Sequence, residues 1–245
     1  MSPSLILHPS SFAMLSRVRQ LFPSPVPELA PREAYRLWAE QYPPYAHNLL
    51  MEVEQRAVME LLPAVNRKRV LDLACGTGRY ARLLQERGAR TLALDFSFEM
   101  LARSEKNFVR AQGDMSALPF RAASADVMIC GLAVGHVANL QGALCEMARV
   151  LTPKGTLIYS DFYAAGKARG WKRTFRADNK TFSVQHHART ELEHTHAIRA
   201  AGLQLDTLRV VHITPELARA DARAENFRKQ WGDTPVALVI RAQKP

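Results

Sequence analysis

The sequence has few cysteines and no long apolar run. Its three cysteines, Cys75, Cys130 and Cys145, form no C-x-x-C pair. This pattern argues against a disulfide framework or a zinc site and favours a reducing cytoplasm. No apolar stretch reaches the roughly 20 residues that a membrane-spanning helix needs, so we expect no membrane span.

Acidic residues are absent before Glu28, and prolines and serines are common there. This composition predicts a mobile N-terminal segment over residues 1–30. The segment has no clean signal-peptide pattern, which favours a cytoplasmic protein. It weakly resembles an organelle transit peptide, and an upstream extension before a start at Met14 fits equally well. The remaining residues, 31–245, are long enough for one domain with a full core.

The charge is strongly positive but scattered. The chain of 245 residues has a formal charge of +10, and no run of five or six basic residues occurs. Scattered arginines are typical of a solvated basic surface, and an acidic acceptor or a carrier protein would also suit them. We do not expect nucleic acid as the main partner, although the positive charge leaves nucleic-acid binding open as an alternative.

A glycine-rich turn is the most informative feature. The residues from Val70 to Ala81 read as a buried strand, a tight turn containing Gly76 and Gly78, and the start of a helix. Such a turn brings backbone N–H groups up to a ligand. Asp95 follows nineteen positions after Gly76, at the end of a second apolar run, where a carboxylate can accept from both hydroxyls of a ribose. The pattern predicts a cofactor that contains adenosine.

Asp72 narrows the choice of cofactor. It lies inside the first strand, just before the glycines, where a carboxylate would repel a pyrophosphate and attract an ammonium group. S-adenosyl-L-methionine has an ammonium group, a sulfonium cation and no phosphate. The residues therefore favour this cofactor over a nicotinamide dinucleotide.

Three stretches, in this order, resemble motifs of the class I S-adenosylmethionine-dependent methyltransferases, in the group that includes quinone-biosynthesis and malonyl-carrier-protein O-methyltransferases. They are residues 72–78, 95–97 and 112–120. The resemblance runs from about residue 35 to the C-terminus. Ala74 stands where that family most often has its first glycine. The resemblance implies a transferase whose cofactor is held by Tyr42, Asp72, Ala74, Gly76, Gly78, Asp95, Phe96, Met100, Asp114, Met115 and Gly131.

The pattern of elements predicts the fold. Apolar runs near 69–74, 91–95, 107–111, 126–131 and 155–161 alternate with amphipathic stretches near 79–87, 98–105 and 139–151. Such alternation implies an α/β domain with helices on both faces of a parallel sheet. Two further strands, near 203–213 and 236–243, complete a Rossmann-like, doubly wound, mostly parallel seven-stranded sheet with an antiparallel C-terminal strand. We expect residues 31–62 to form a helical lid broken at Pro43-Pro44, and residues 162–190 to form an insertion over the acceptor site.

Four residues are candidates for catalysis because they follow strands of the sheet or lie in the insertion. His136 follows the fourth strand and could act as a general base or orient an acceptor hydroxyl. Asp161 and Tyr163 follow the fifth strand, and His187 lies in the insertion. The histidines near His187 lack metal-site spacing and a paired acid, so we expect no metal.

Three alternative functions remain beside a methyltransferase acting on a small-molecule or carrier-bound acceptor. An RNA methyltransferase is favoured only by the net charge. A nicotinamide-dependent oxidoreductase is suggested by Tyr163 and Lys167, which match a Tyr-x-x-x-Lys pair, but Gly166 argues against the helix that this pair requires. A protein that binds S-adenosylmethionine without catalysis is the third.

Overall fold

The computed structural model describes residues 26–245, and most of the predicted N-terminal segment, residues 1–25, lies outside this range. The main sheet has seven strands in the spatial order β4-β3-β2-β5-β6-β10-β9. The strands are β2 (Arg69–Leu73), β3 (Arg90–Asp95), β4 (Val109–Gln112), β5 (Ala125–Cys130), β6 (Leu151–Phe162), β9 (Gln204–Val211) and β10 (Ala237–Gln243). The first five are parallel, and β10 runs antiparallel to both β6 and β9. The predicted fold and its antiparallel C-terminal strand are confirmed.

Helices cover both faces of this sheet. They include α2 (Leu49–Leu61), α3 (Arg79–Gln85), α4 (Phe98–Arg103), α5 (Leu140–Val150), α7 (Glu191–Ala200), α8 (Pro215–Ala220) and α9 (Ala222–Trp231). Alternate residues of β5 enter different apolar layers, because side chains alternate along a strand. Val127 and Ile129 pack in the layer that contains α2 and α3, whereas Met128 and Cys130 pack in the layer that contains α5 and α7.

A second, small sheet lies outside the main one. It combines β1 (Glu28–Leu29), β8 (Lys180–Val184) and β7 (Thr174–Ala177), in that order. Phe175 and Val184 from this sheet pack against Ala34 of helix α1 (Pro31–Trp38). The segment before the main sheet and the 162–190 insertion therefore form one unit.

The expected break in the lid segment occurs near the two prolines. Helix α1 ends in a short 3₁₀ turn, Ala39–Gln41, and α2 begins at Leu49 after the cap residue Asn48. The Asn48 side chain accepts a hydrogen bond from the Met51 backbone N–H at 3.0 Å. This bond satisfies a donor that the first turn of a helix leaves unpaired.

One local prediction is wrong. Residues after Tyr163 form a short helix, α6 (Ala164–Ala168), despite Gly166. The Gly166 N–H bonds to the Tyr163 carbonyl and the Trp171 N–H to the Gly166 carbonyl, so turn hydrogen bonds outweigh the weak helix propensity of glycine. Among residues 26–245, no helix combines the length and apolarity that crossing a bilayer requires.

Candidate active site

A cavity of about 620 Å³ opens at the carboxyl ends of β2, β3 and β5. Parallel sheets with helices on both faces place their ligand sites at this edge. All of the predicted cofactor residues except Gly78 and Asp114 line the cavity, and so does His136. We call this space the cofactor cavity.

The turn after β2 follows a left-handed path. Ala74, Gly76 and Gly78 have φ angles of 52°, 57° and 96°. A left-handed conformation costs a residue with a side chain about 1–2 kcal/mol. Ala74 adopts this conformation at the cavity wall despite the cost. Gly78 does not line the cavity. A Cβ atom there would lie 2.4 Å from the Phe108 ring, so this glycine permits close packing.

Asp95 holds the glycine turn in place. One carboxylate oxygen accepts from the Gly76 N–H at 2.7 Å and the other from the Ser97 N–H at 2.8 Å. Burial raises the pKa of this carboxyl group to about 6, against the opposing effect of the backbone hydrogen bonds from Ser97 and Gly76. Each carboxylate oxygen keeps acceptor capacity for a ligand hydroxyl.

Asp72 lies beneath the turn and is almost fully buried. One of its oxygens accepts from the Ala81 N–H at 2.8 Å, which ties β2 to the first turn of α3. Burial raises its pKa to about 7, and the hydrogen bond from Ala81 and the charge of Arg79 oppose that rise. A cation bound in the cavity would restore the charged form.

A second cavity, of about 700 Å³, adjoins the first and shares with it Ala74, Phe96, Met115 and His136. Asp114 lines this second cavity. Its side chain is exposed and accepts from the Ser116 N–H at 2.8 Å. The structure thus places Asp114 and Met115 together, beside Phe96, as an extension of the cofactor cavity.

Aromatic residues from the segment before the main sheet line the cofactor cavity. Tyr35 and Tyr42 line it, and their ring centroids are 6.4 Å apart. Trp38 stacks on Tyr35 with a centroid distance of 6.1 Å. Tyr35 therefore joins Tyr42 at the cavity wall, and Trp38 packs behind Tyr35.

His136 connects this aromatic cover to the loop after β5. Its Nδ1 atom lies 3.0 Å from the Gln185 carbonyl oxygen and its Nε2 atom 2.9 Å from the Tyr35 hydroxyl. A carbonyl only accepts, so Nδ1 carries the proton and Nε2 accepts from Tyr35. Burial, assisted by the charge of Arg173, lowers the pKa of His136 to about 3. This histidine is a neutral hydrogen-bonding group with little tendency to take up a proton.

The other three catalytic candidates lie away from the cofactor cavity. Asp161 is buried, and its Oδ1 atom lies 2.8 Å from Nε2 of His186. The Tyr163 hydroxyl donates to Glu191 at 2.7 Å. The backbone N–H of His187 donates to the Gly135 carbonyl at 2.8 Å. Thus His186, rather than His187, contacts Asp161. His186 and Tyr163 line another cavity of about 630 Å³, which shares Arg173 with the cofactor cavity.

An ion pair that the sequence patterns did not reveal forms one wall of the cofactor cavity. Arg79 Nη1 lies 2.9 Å from a Glu54 carboxylate oxygen, and both side chains are almost fully buried. Glu54 also accepts from the hydroxyls of Tyr80 at 2.8 Å and Ser160 at 2.5 Å. Arg79 lines the cavity beside Gly131, where an added Cβ would lie 3.2 Å from Nη2. In the sequence, the only indication that Arg79 belongs to the site was its position directly after the glycines.

The comparisons with known proteins agree with this geometry. Residues 71–159 match the family described as methyltransferase domain. Over 143 residues, or 57% of the chain, the protein is 34% identical to a malonyl-[acyl-carrier protein] O-methyltransferase of Enterobacter lignolyticus, and the match covers 56% of that relative. It is 36% identical over 113 residues, 44% of the chain, to a demethylmenaquinone methyltransferase of Renibacterium salmoninarum, 47% of which is covered. The chain thus spans about half the length of these relatives.

A solved structure supports the fold described above. An S-adenosylmethionine-dependent methyltransferase from Mesorhizobium loti superposes with a TM-score of 0.67 at 21% identity. The superposition covers 78% of this chain and 98% of the other. At that identity the similarity establishes the fold alone.

The cavity fits S-adenosylmethionine, the cofactor of this class. Asp95 would accept from the ribose hydroxyls, and Asp72 offers a buried carboxyl group whose charge a ligand ammonium would stabilise. Asp114 and Met115 lie where the extension of the cavity could take the adenine. When bound, the cofactor supplies an electrophilic methyl group on a sulfonium.

Proposed function

We propose that the protein transfers a methyl group from S-adenosylmethionine to a small-molecule or carrier-bound acceptor. One observation supports this proposal above the others. Two buried carboxyl groups, Asp72 and Asp95, lie at the ends of adjacent strands and line one cavity beside a left-handed glycine turn. The family match over residues 71–159 and the names of the relatives point the same way.

The residues around the cavity would act mainly by positioning and by excluding water. Tyr35 and Tyr42 cover the cavity, and the Arg79–Glu54 pair fixes its wall. Holding the reacting groups in line and displacing solvent supplies much of the acceleration in a displacement with a good leaving group. These roles require preorganised side chains rather than a strong acid or base.

His136 remains the best-placed of the four catalytic candidates, because it alone lines the cofactor cavity. A pKa of about 3 suits a neutral group that orients an acceptor more than a general base. Asp161, Tyr163 and His187 stay catalytic candidates for the region beyond the cofactor cavity, where Asp161 contacts His186. We also propose the cytoplasm as the location, because all three thiols are free and Cys75 and Cys130 are buried.

The geometry does not support the alternative function as a nicotinamide-dependent oxidoreductase. The Tyr163 hydroxyl is bonded to Glu191, and the Lys167 ammonium donates to the His186 carbonyl at 2.5 Å. The Tyr163 hydroxyl and the Lys167 ammonium therefore have separate hydrogen-bond partners. Neither residue lines the cofactor cavity.

The proposed function can be tested by incubating the protein with methyl-labelled S-adenosylmethionine and a cell extract. We expect label in a small molecule or a carrier-bound product, and none with Asp95→Ala in place of the parent protein. Label in RNA would favour the nucleic-acid alternative. Complete absence of transfer, with the cofactor bound, would favour a binding protein without catalysis.

A further inference from the structure

Arg173 lies where the cofactor cavity meets a larger, outer cavity. The outer cavity has a volume of about 1270 Å³, and the residues shared by the two are Leu132 and Arg173. A ligand that enters through the outer cavity must therefore pass this guanidinium group to reach the cofactor. We call this outer space the acceptor chamber.

The guanidinium of Arg173 has only neutral partners among the described residues. It donates to the Leu132 carbonyl at 3.2 Å and to the Tyr42 hydroxyl at 3.4 Å. The rings of Tyr35, Trp38 and Phe162 surround it, with centroids 5.5, 5.4 and 5.0 Å from its central carbon. No ion pair involves it within residues 26–245, and residues 1–25 contain no acidic side chain that could supply one.

Arg173 has no carboxylate to neutralise its charge, and Leu132 and Tyr42 take only part of its N–H donors, so the group can still bind an anion. Its planar group can give two parallel hydrogen bonds to a carboxylate. The aromatic rings stabilise its charge and fix its position, as cation–π contacts do, without occupying its in-plane donors. Arg79, the other arginine that lines the cofactor cavity, differs in this respect because it is already paired with Glu54.

The walls of the acceptor chamber suit an anion with an apolar body. Lys172 lines the chamber together with Arg173, and none of its lining residues is acidic. Much of the remaining wall is apolar or aromatic, including Phe162, Trp171 and Phe227. This combination attracts a negative charge and favours burial of the apolar part beside it.

We propose that Arg173 binds the carboxylate of the methyl acceptor at the junction of the two cavities, and so selects carboxylic acids as acceptors. This inference rests on the proposed methyl transfer. It goes further by assigning the acceptor class, the acceptor atom and the residue that selects them. Arg173 then acts as a binding residue for the reacting group.

The reaction balances without a proton acceptor. One oxygen of the acceptor carboxylate forms a bond to the methyl carbon with a lone pair, and the carbon–sulfur bond breaks with its electron pair left on sulfur. The negative charge of the carboxylate and the positive charge of the sulfonium are both lost. The products are a neutral methyl ester and S-adenosylhomocysteine. No proton is released, which agrees with the neutral, hydrogen-bonded state of His136.

The acceptor class can be tested by the alkali lability of the product. The protein is incubated with methyl-labelled S-adenosylmethionine and a cell extract, and a reaction without the protein gives the background. Mild alkali hydrolyses a carboxylic ester and releases the label as volatile methanol. We expect most of the transferred label to become volatile. Transferred label that resists alkali, as in an ether, a methylamine or a C-methyl group, would overturn the inference while leaving the proposed function intact. Absence of all transfer would remove both.

The role of Arg173 is tested with three variants and the acid identified from the labelled ester. Arg173→Met keeps an unbranched apolar stem and removes the guanidinium, and Arg173→Lys keeps the charge without the planar fork. Arg176→Met is the matched control, since Arg176 is exposed on the neighbouring strand β7 and lines none of these cavities. Each variant is measured for the Michaelis constant of the acid and, by calorimetry, for the dissociation constant of S-adenosylhomocysteine.

We expect Arg173→Met to raise the Michaelis constant of the acid about ten- to a hundredfold, as loss of a charged hydrogen-bond partner does. Arg173→Lys should recover part of this loss, and Arg176→Met should behave like the parent. The affinity for S-adenosylhomocysteine should stay within about threefold of the parent value in all three, which also shows that they are folded. An unchanged Michaelis constant in Arg173→Met would contradict the inference. So would a tenfold loss of S-adenosylhomocysteine affinity, because Arg173 would then bind the carboxylate of the cofactor.

Discussion

Tyr35 on helix α1 and His136 after strand β5 are joined by a hydrogen bond of 2.9 Å across the cofactor cavity. The two residues are 101 positions apart in the chain. The bond links the segment that covers the cavity to the loop that follows the central strands. Closure over the cofactor and the orientation of His136 should therefore depend on each other.

A double-mutant cycle tests this link. Tyr35→Phe and His136→Ala each remove the hydrogen bond, so the second substitution should cost less when the first is present. We expect each to weaken S-adenosylhomocysteine binding about three- to tenfold. Calorimetric dissociation constants of the four proteins give the coupling. Strictly additive losses would show that the two residues act independently.

Asp95→Ala should weaken cofactor binding strongly. It removes the acceptor for the ribose hydroxyls and also the partner of the Gly76 N–H. A lost charged hydrogen bond costs roughly 1.5–3 kcal/mol, or about ten- to a hundredfold in affinity. Titration of S-adenosylhomocysteine into the variant provides the measurement. Parent-like affinity would mean that the ribose binds elsewhere.

Cofactor binding should strengthen as the pH rises from about 5.5 to 7.5. Burial raises the pKa values of Asp72 and Asp95 to about 7 and 6, so their charged forms appear only over this range. An ionised Asp72 attracts the ligand ammonium, and Asp72→Asn should flatten the upper part of the profile. Dissociation constants for S-adenosylhomocysteine across this range check both expectations. A flat profile in the parent would place the ammonium away from Asp72.

Asp72 and Asp95 also determine how the stability of the ligand-free protein depends on pH. Their pKa values are higher in the folded than in the unfolded chain, so folding favours their protonated forms. This contribution is present below pH 4 and is lost as the pH rises through about 6 and 7. Cofactor binding should therefore raise the free energy of unfolding most at the higher pH values, where the stabilising contribution of these two groups has been lost.

Glu54→Gln should destabilise the protein much more than Glu52→Gln. Both residues lie on α2 and pair with an arginine, but the Glu54–Arg79 pair is buried whereas the Glu52–Arg223 pair is half-exposed. Removing one partner of a buried pair costs about 3–5 kcal/mol, and an exposed pair contributes less than about 1 kcal/mol. Urea unfolding of the two variants gives the comparison. Equal losses would show that Arg79 finds another partner or water.

The fold and most of the cofactor cavity could be predicted because their signals are local. The alternation of strands and helices, the glycines after β2 and the acid after β3 are each contained in short stretches of sequence. Asp72, Gly76 and Asp95, which we predict to bind the cofactor, line one cavity. The short helix at Ala164–Ala168 was missed because its hydrogen bonds depend on the residues that follow it.

The outer part of the site could not be predicted because long-range contacts form it. Arg173 reaches the Leu132 carbonyl across 41 residues, and His186 meets Asp161 across 25. No periodicity or spacing indicates such pairs. The sequence likewise does not distinguish His186 from His187, because the side chains of neighbouring loop residues can point in different directions.

The central claim is that this cavity binds S-adenosylmethionine, and one titration tests it most directly. S-adenosylhomocysteine and NAD are titrated separately into the parent protein in a calorimeter, with Asp95→Ala as the variant control. The account predicts one binding site per chain for S-adenosylhomocysteine, weaker binding in the variant, and no heat of binding for NAD. Saturable binding of NAD together with no binding of S-adenosylhomocysteine would contradict it.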